Sequence, residues 1–208
     1  TAPGTYTVKI DVAKGECYLA ASDVTSPDWT FTITPAALTA SGSGTASGTF
    51  GGSLGSLSVS GLKAMLGTDE IPGRWALSGG DIPNVGDTGM YTAEFTADVH
   101  PEYYKPLTAK VTLDIAKAQA PAMADTTLSC YWGASGEKSV SLAGLPENTG
   151  EIYPATIAVS DVNGILAADS ARYSDGKLYF TLGENTEESI GNTAEITVTL
   201  PTQNYTDF

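Results

Sequence analysis

Histidine, cysteine and basic residues are scarce in this 208-residue chain: one histidine, two cysteines, and ten lysines and arginines against 24 aspartates and glutamates. A serine hydrolase needs a histidine base beside its nucleophile. The lone His100 precedes Pro101 in a stretch that reads as a solvated surface turn. No Gly-x-Ser-x-Gly elbow stands between a strand and a helix; Ser56-Leu57-Ser58-Val59-Ser60 reads as an alternating strand with serines outward. Two cysteines and one histidine cannot complete a structural zinc site. Cys17 and Cys130 lie 113 positions apart, unlike the closely spaced framework of a disulfide-stapled fold, and geometry decides whether they bridge. The net charge of −14 disfavours nucleic acid and anionic membrane surfaces as partners, and suits a solvated acidic exterior. No apolar stretch approaches the roughly 18 residues of a membrane helix, so no membrane insertion is expected. No signal peptide opens the chain at Thr1, so an export signal, if used, is expected to be removed or to lie outside it. Also missing is any run of about twelve residues with helical periodicity and caps. At most, single helical turns are expected at Leu62 to Leu66 or Asp169 to Arg172.

What the chain has in abundance is turn and strand chemistry. Its 23 glycines, 11 prolines and 41% hydrophobic residues suit many short strands around packed cores. One segment recurs three times: Gly4 to Tyr18 (GTYTVKIDVAKGECY), Gly89 to Tyr104 (GMYTAEFTADVHPEYY) and Gly191 to Tyr205 (GNTAEITVTLPTQNY). Ala93 to Tyr104 aligns without gaps on Ala194 to Tyr205 at a separation of 101, and the Gly-x-Tyr-Thr at Gly4 matches that at Gly89 at a separation of 85. These periods are module-sized, longer than solenoid repeats.

Within each copy apolar residues alternate, as in half-buried strands: Tyr6, Val8, Ile10 and Val12; Tyr91, Ala93, Phe95, Ala97 and Val99; Ala194, Ile196, Val198 and Leu200. Turns are read at Lys14-Gly15, at His100-Pro101-Glu102 and from Pro201 to Asn204. The first two copies are followed by further strands, Trp29-x-Phe31-x-Ile33 and Val111-x-Leu113-x-Ile115. The third is followed only by Thr206, Asp207 and Phe208. Ser41 to Gly55 (SGSGTASGTFGGSLG) reads as a flexible linker leading into a loose strand. Leu54, Leu57, Val59 and Leu62, then Trp75 and Leu77, mark two short strands. Ala118 to Ala124, containing Pro121, reads as a module boundary. Leu128, Cys130 and Trp132, then Val140, Leu142 and Leu145, and then Tyr153, Ala155, Ile157 and Val159 continue the strand pattern. Asp161 to Gly164 is a turn, and Tyr173 to Leu178 a hairpin with Asp175-Gly176 at its tip.

These residues resemble the immunoglobulin-like repeats of bacterial surface proteins from Gram-positive and gut bacteria. The second module carries Ile71-Pro72-Gly73-Arg74-Trp75, Pro83-Asn84-Val85-Gly86, Tyr91-Thr92-Ala93-Glu94-Phe95-Thr96, a tyrosine at Tyr103 or Tyr104, and a closing strand ending in Ala116-Lys117-Ala118. The third carries Leu145-Pro146, Gly164-Ile165-Leu166, Asp175-Gly176-Lys177-Leu178 and Gln203-Asn204-Tyr205. The expected fold is all-β, a row of tandem immunoglobulin-like β-sandwich modules. Residues 1–39 would be the C-terminal part of one module or strands completing another. Residues 40–118 would be a whole module, and 119–208 a module without its last strand. An open edge of that kind implies either that the chain is a stretch of a longer repeat array or that residues 1–39 fill the edge, within the chain or in a neighbour. Trp29, Trp75, Tyr18, Tyr104 and Tyr205 are expected to fill cores or corners, the alternative being an exposed platform for stacking sugars.

No catalytic, cofactor-binding or metal site is assigned. A glycosidase could use two of the carboxylates, but none stands out, and Gly42 to Gly55 precedes no helix that would make it a phosphate loop. Asp161, Asn163 and Asp169 could offer oxygen ligands to calcium, but the spacing lacks the full loop and terminal glutamate of an EF-hand. Glu184 to Glu188 reads as a solvated loop. The resemblance also raises a lysine–asparagine crosslink, for which Lys9 and Lys110 are the strand lysines. The functional expectation is a non-enzymatic, extracellular fragment of a cell-surface or secreted bacterial protein, serving as spacer, display unit or adhesion scaffold. Its partners would be a host or bacterial surface protein or a glycan, or a neighbouring chain that exchanges strands with it. The alternatives are a carbohydrate-binding module and an accessory region of a larger surface enzyme.

Overall fold

The structure, a computed structural model, describes residues 1–184 and 186–208. Among the described residues the only helical segments are single 3-10 turns at Leu54–Ser56, Pro101–Tyr103 and Glu187–Ser189, and the rest is strands and turns. The chain is all-β. It divides into two compact units. One comprises Thr1–Ser47, Ser53–Gly80 and Thr88–Leu113; the other comprises Gly48–Gly52, Asp81–Asp87 and Asp114–Phe208.

The first unit begins with a self-paired ribbon. Strands β1 (Gly4–Thr7) and β4 (Thr30–Ile33) pair from Gly4 opposite Ile33 to Thr7 opposite Thr30. Strands β2 (Ile10–Val12) and β3 (Ala21–Val24) continue the pairing, joined to it by the Val8 N–H donating to the Trp29 carbonyl at 2.7 Å. Among the described residues no other strand adds to either pair, while further along Ala36 bridges Tyr104 and Thr39 pairs with Met65. With no sheet over either face, the ribbon's apolar side chains stay in solvent: Trp29 is 40% exposed, Phe31 51% and Tyr18 60%. The expectation that Trp29 and Tyr18 are core residues is overturned for that reason. Tyr18 instead bends back over Gly15, whose N–H donates to the Tyr18 carbonyl at 3.2 Å.

A six-stranded sheet follows. Its strands are β5 (Thr39–Thr49), β6 (Ser58–Leu66), β7 (Asp69–Glu70), β8 (Gly73–Leu77), β9 (Tyr91–Ala97) and β10 (Leu107–Ala116), in the order β7-β6-β5-β10-β9-β8. The sheet folds on itself, bringing β6 against β8. Ala46, Ala64, Ala93 and Val111 are buried in the fold. Trp75 is half-buried, its ring 5.3 Å from that of Phe95.

The stretch from Ser41 to Gly55 is mostly strand, not linker, and its glycines are there for proximity. The register of β5 against β6 shifts between Gly42 and Thr45. At that irregularity Gly42 and Gly61 take φ of +97° and +80°. A methyl group on Gly42 would overlap the Gly61 carbonyl oxygen, and one on Gly61 the Ser43 carbonyl oxygen. A methyl on Gly44 would lie 2.5 Å from Val111 Cγ1 and 2.8 Å from Leu62 Cγ. Glycine lets two backbones and a core valine approach this closely. The helical turn expected at Leu62 to Leu66 is likewise strand. The β6–β7 pairing of Met65 with Glu70 and Leu66 with Asp69 outweighs the helix propensity of those side chains.

The second unit holds β11 (Gly136–Ser141), β12 (Thr156–Ser160), β13 (Arg172–Ser174), β14 (Lys177–Leu182) and β15 (Glu195–Thr199), in two sheets, β11-β14-β13 and β12-β15. The Asp175-Gly176 hairpin forms as expected. Ser174 faces Lys177, and the two tip residues take φ of +50° and +74°, which a two-residue hairpin turn of this hand demands. No helical turn forms at Asp169 to Arg172, because Asp169 is left-handed (φ +52°) and Arg172 opens β13. The strand expected through Leu128, Cys130 and Trp132 is also absent. No neighbouring strand among the described residues supplies its hydrogen bonds, and Leu128, Tyr131 and Trp132 are 45%, 81% and 64% exposed.

One bridge recurs in the two units. In the first, the Ala36 N–H donates to the Tyr103 carbonyl and Lys105 N–H to the Ala36 carbonyl, both at 2.8 Å, making a parallel bridge to Tyr104. In the second, the Ala118 N–H donates to the Asn204 carbonyl at 2.9 Å and Thr206 N–H to the Ala118 carbonyl at 2.8 Å, making a parallel bridge to Tyr205.

Candidate functional site

Two features of the second unit stand out: a buried polar knot and an open cleft. The knot is centred on Asn204, which is fully buried. Its Nδ2 donates to Asn84 Oδ1 at 2.8 Å and to the Asn148 carbonyl at 2.9 Å. Its Oδ1 accepts from the Val85 N–H at 2.9 Å. Gln203 on one side donates through Nε2 to the Val85 carbonyl at 2.8 Å. Tyr205 on the other donates its hydroxyl to Asn148 Oδ1 at 2.9 Å and sets its ring 5.6 Å from that of Phe50. Lys117 Nζ donates to the Thr202 carbonyl at 2.6 Å. Tyr205 is thus a corner residue, held by an asparagine side chain. Among the described residues no buried side-chain polar atom lacks a partner. A network so fully satisfied fixes loop positions and leaves no group aimed at a ligand.

The cleft lies between the two sheets of this unit. It encloses about 1030 Å³ and is lined by Leu128, Val140, Phe180, Leu182, Ile196 and Val198, among others. Leu178 and Phe180 on its β14 wall are buried, whereas Ile196 and Val198 on β15 are only half covered. Its lining mixes aliphatic and aromatic side chains with polar ones, Asp125, Ser129, Cys130 and Glu195 among them.

The residues weighed for chemistry are dispersed. His100 adopts a left-handed conformation (φ +51°) before the 3-10 turn at Pro101–Tyr103. It stacks on Tyr103 with ring centroids 4.4 Å apart and places Nδ1 3.1 Å from Glu102 Oε1. Glu102 is held below the usual glutamate range, first by a backbone hydrogen bond and then by its contact with His100. Both side chains are solvated, which makes this an ordinary turn. Asp161 spends its carboxylate on the chain, accepting from the Ile165 N–H at 3.0 Å and the Leu166 N–H at 2.7 Å. No group of three or more acidic, histidine or cysteine side chains among the described residues could hold a metal. Glu184, Glu187 and Glu188 are exposed, and Asn185 of that run lies outside the described residues. Lys9 Nζ faces Asp23 at 3.3 Å and Lys110 Nζ donates to Thr92 Oγ1 at 2.7 Å, so these contacts bring neither lysine to an asparagine. Cys17 and Cys130 are exposed thiols, not bridged.

The knot was not legible from sequence as a unit, although the Gln203-Asn204-Tyr205 motif supplies three of its members. No helix among the described residues is long and apolar enough to cross a membrane. No family model, curated protein or solved structure matches the chain.

Proposed function

We propose that this chain is a non-enzymatic stretch of immunoglobulin-like β-sandwich modules from a bacterial cell-surface or secreted protein, acting as a spacer or display scaffold that withstands tension. The observation that carries this reading is the direction of β5 and β10, the first and last strands of residues 40–118. They are neighbours in the sheet. The parallel bridge of Ala36 to Tyr104 precedes them, and the Phe50 N–H donates to the Ala116 carbonyl at 3.0 Å at the far end, so the two run parallel. Tension entering through β5 and leaving through β10 loads their shared hydrogen bonds together, in shear. The β1–β4 ribbon is the opposite case: its ends, Gly4 and Ile33, face each other, so tension opens it one pair at a time. The recurring alanine–tyrosine bridge and the acidic exterior also support the reading.

Single-molecule stretching from Thr1 to Phe208 tests it. The ribbon is expected to open first, at low force. Residues 40–118 should then yield in a separate event at clearly higher force, releasing roughly 260–280 Å of chain at ~3.3–3.6 Å per residue. Opening of both at the same force would refute the tension-bearing role. The carbohydrate-binding alternative is favoured by one observation, the exposure of the adjacent Tyr131 (81%) and Trp132 (64%). A glycan array decides it, and a hit lost on Trp132→Ala would replace the scaffold reading.

A further inference from the structure

The turn from Asp161 to Gly164 plays no part in the scaffold reading, yet it holds a reactive pair. Asn84, Asn148, Asn185, Asn192 and Asn204 precede valine, threonine or tyrosine, and only Asn163 precedes glycine. The side-chain carbonyl carbon of an asparagine is one ring closure away from the backbone nitrogen of the next residue. A side chain on that next residue screens the approach, and glycine has none.

The structure leaves this pair open and holds the others. Asn163 and Gly164 are exposed. A Cβ on Gly164 would meet open space, so solvent reaches its N–H from that side. That N–H makes only a long bond, 3.4 Å, to the Asp161 carbonyl. By contrast, Asn84, Asn148 and Asn204 have their side chains bonded in the polar knot, and Asn192 Nδ2 donates to the Glu188 carbonyl. Asp175-Gly176 could close the same ring, but Ser174 faces Lys177 across it and Ser174 Oγ donates to Asp175 Oδ2 at 3.0 Å. A carboxylate also resists nucleophilic attack better than an amide does.

The surroundings of the turn depend on its length. Asp161 reaches over it to accept from the Ile165 and Leu166 N–H groups. Beyond it the chain is pinned to the end of β14. The Ala167 N–H donates to the Thr181 carbonyl and the Gly183 N–H to the Ile165 carbonyl, both at 2.9 Å, and Leu166 bridges Leu182. The approach is close enough that a methyl on Gly183 would lie 3.1 Å from the Gly164 carbonyl oxygen.

We propose that Asn163 is a site of spontaneous covalent modification, converting to isoaspartate and thereby releasing the Asp161 turn from β14. Solvent base takes the Gly164 amide proton, and the nitrogen attacks Asn163 Cγ. The N–Cγ bond forms, the Cγ–Nδ2 bond breaks, and Nδ2 leaves as ammonia. Water then opens the resulting succinimide. Opening at Cγ gives aspartate. Opening at the backbone carbonyl carbon gives isoaspartate, in which the main chain runs through Cβ and Cγ and gains a methylene. Either product adds a negative charge to the −14 of the chain, but only isoaspartate lengthens the turn. Nothing is oxidised or reduced, and water is the sole co-reactant. The step is independent of the module reading, so the two stand or fall separately.

Incubating the full chain at neutral and mildly alkaline pH, then mapping its peptides by mass spectrometry with electron-transfer fragmentation, tests the proposal. The Asn163 peptide is expected to show amide exchanged for carboxyl ahead of every other asparagine peptide. Conversion should quicken as pH rises, with isoaspartate the larger product. Hydrogen exchange on the aged chain should show lost protection at Ala167 and Gly183, the amides bonded across the turn and β14. Freshly prepared Asn163→Asp carries the charge without the methylene and should keep that protection. An Asn163 that retains its amide as long as the other asparagines do overturns the proposal. So does an isoaspartyl chain still protected at Ala167 and Gly183, or an Asn163→Asp chain that loses protection there as the aged chain does.

Discussion

Replacing Gly61 by alanine separates two accounts of the glycine-rich stretch from Ser41 to Gly55. If that stretch were a flexible linker beside a loose strand, losing a nearby glycine would be neutral. It could even stabilise by about 0.4–1 kcal/mol, through the reduced entropy of the unfolded chain. The structure demands the opposite sign. Gly61 sits at φ +80°, where a side chain costs about 1–2 kcal/mol, and its new methyl would overlap the Ser43 carbonyl oxygen of the facing strand. Relieving the overlap parts β5 from β6 beside the register shift and weakens roughly two backbone hydrogen bonds, at about 0.5–1.5 kcal/mol each. The sum is about 2–5 kcal/mol. At about 4 °C per kcal/mol for a unit of this size, the melting transition should fall by at least ~8 °C. Gly55→Ala is the internal control, because its methyl would lie 3.6 Å from the Leu77 carbonyl oxygen, an ordinary contact. Thermal and urea unfolding followed by circular dichroism measure both variants. A Gly61→Ala protein as stable as the wild type would refute the close approach of β5 and β6 at their register shift as the reason for these glycines.

Two further outcomes are expected. Asn204→Ala strips the partners from Asn84 Oδ1, the Asn148 carbonyl and the Val85 N–H. At ~1–3 kcal/mol for each buried group left unpaired and not reached by water, it should cost about 2–4 kcal/mol and speed hydrogen exchange at Val85; unchanged exchange there would contradict the knot. Asp161→Ala removes the acceptor for the Ile165 and Leu166 amides and should cost about 1–2 kcal/mol, while millimolar calcium or EDTA leaves the wild-type transition unmoved. A calcium-dependent rise that Asp161→Ala abolishes would return Asp161, Asn163 and Asp169 to the status of ligands.

Much of the strand pattern was legible because its signals are local. Alternation at Tyr91 to Ala97 and Val111 to Ile115 reports which side chains point inward, and Asp175-Gly176 reports a backbone hand that few other pairs tolerate. The errors have a common source in partners distant along the chain. Trp29 and Tyr18 looked like core residues because aromatics usually find cover, yet the ribbon has none. Leu128 to Trp132 alternates like a strand but has no neighbour to complete its hydrogen bonds. Ser41 to Gly55 looked flexible because composition does not distinguish glycine that permits motion from glycine that permits contact. The members of the knot at Asn84, Asn148 and Asn204 lie too far apart in sequence for any spacing to announce them.

The sequence by itself determined that this chain is all-β, that it is acidic, where most of its turns fall, and that one segment recurs three times. Those properties are written in composition, period-two alternation and residues with unusual backbone freedom, all of which act over a few positions. Only the tertiary structure decided which strands have neighbours. It showed that β5 runs parallel to β10, that paired β5 and β6 approach closely at glycines on both strands, that the apolar side chains of the ribbon stay exposed, and that among the described residues β15 has β12 as its strand partner. Strand pairing depends on backbone groups that every residue carries alike, so its outcome is set by what the rest of the chain brings alongside.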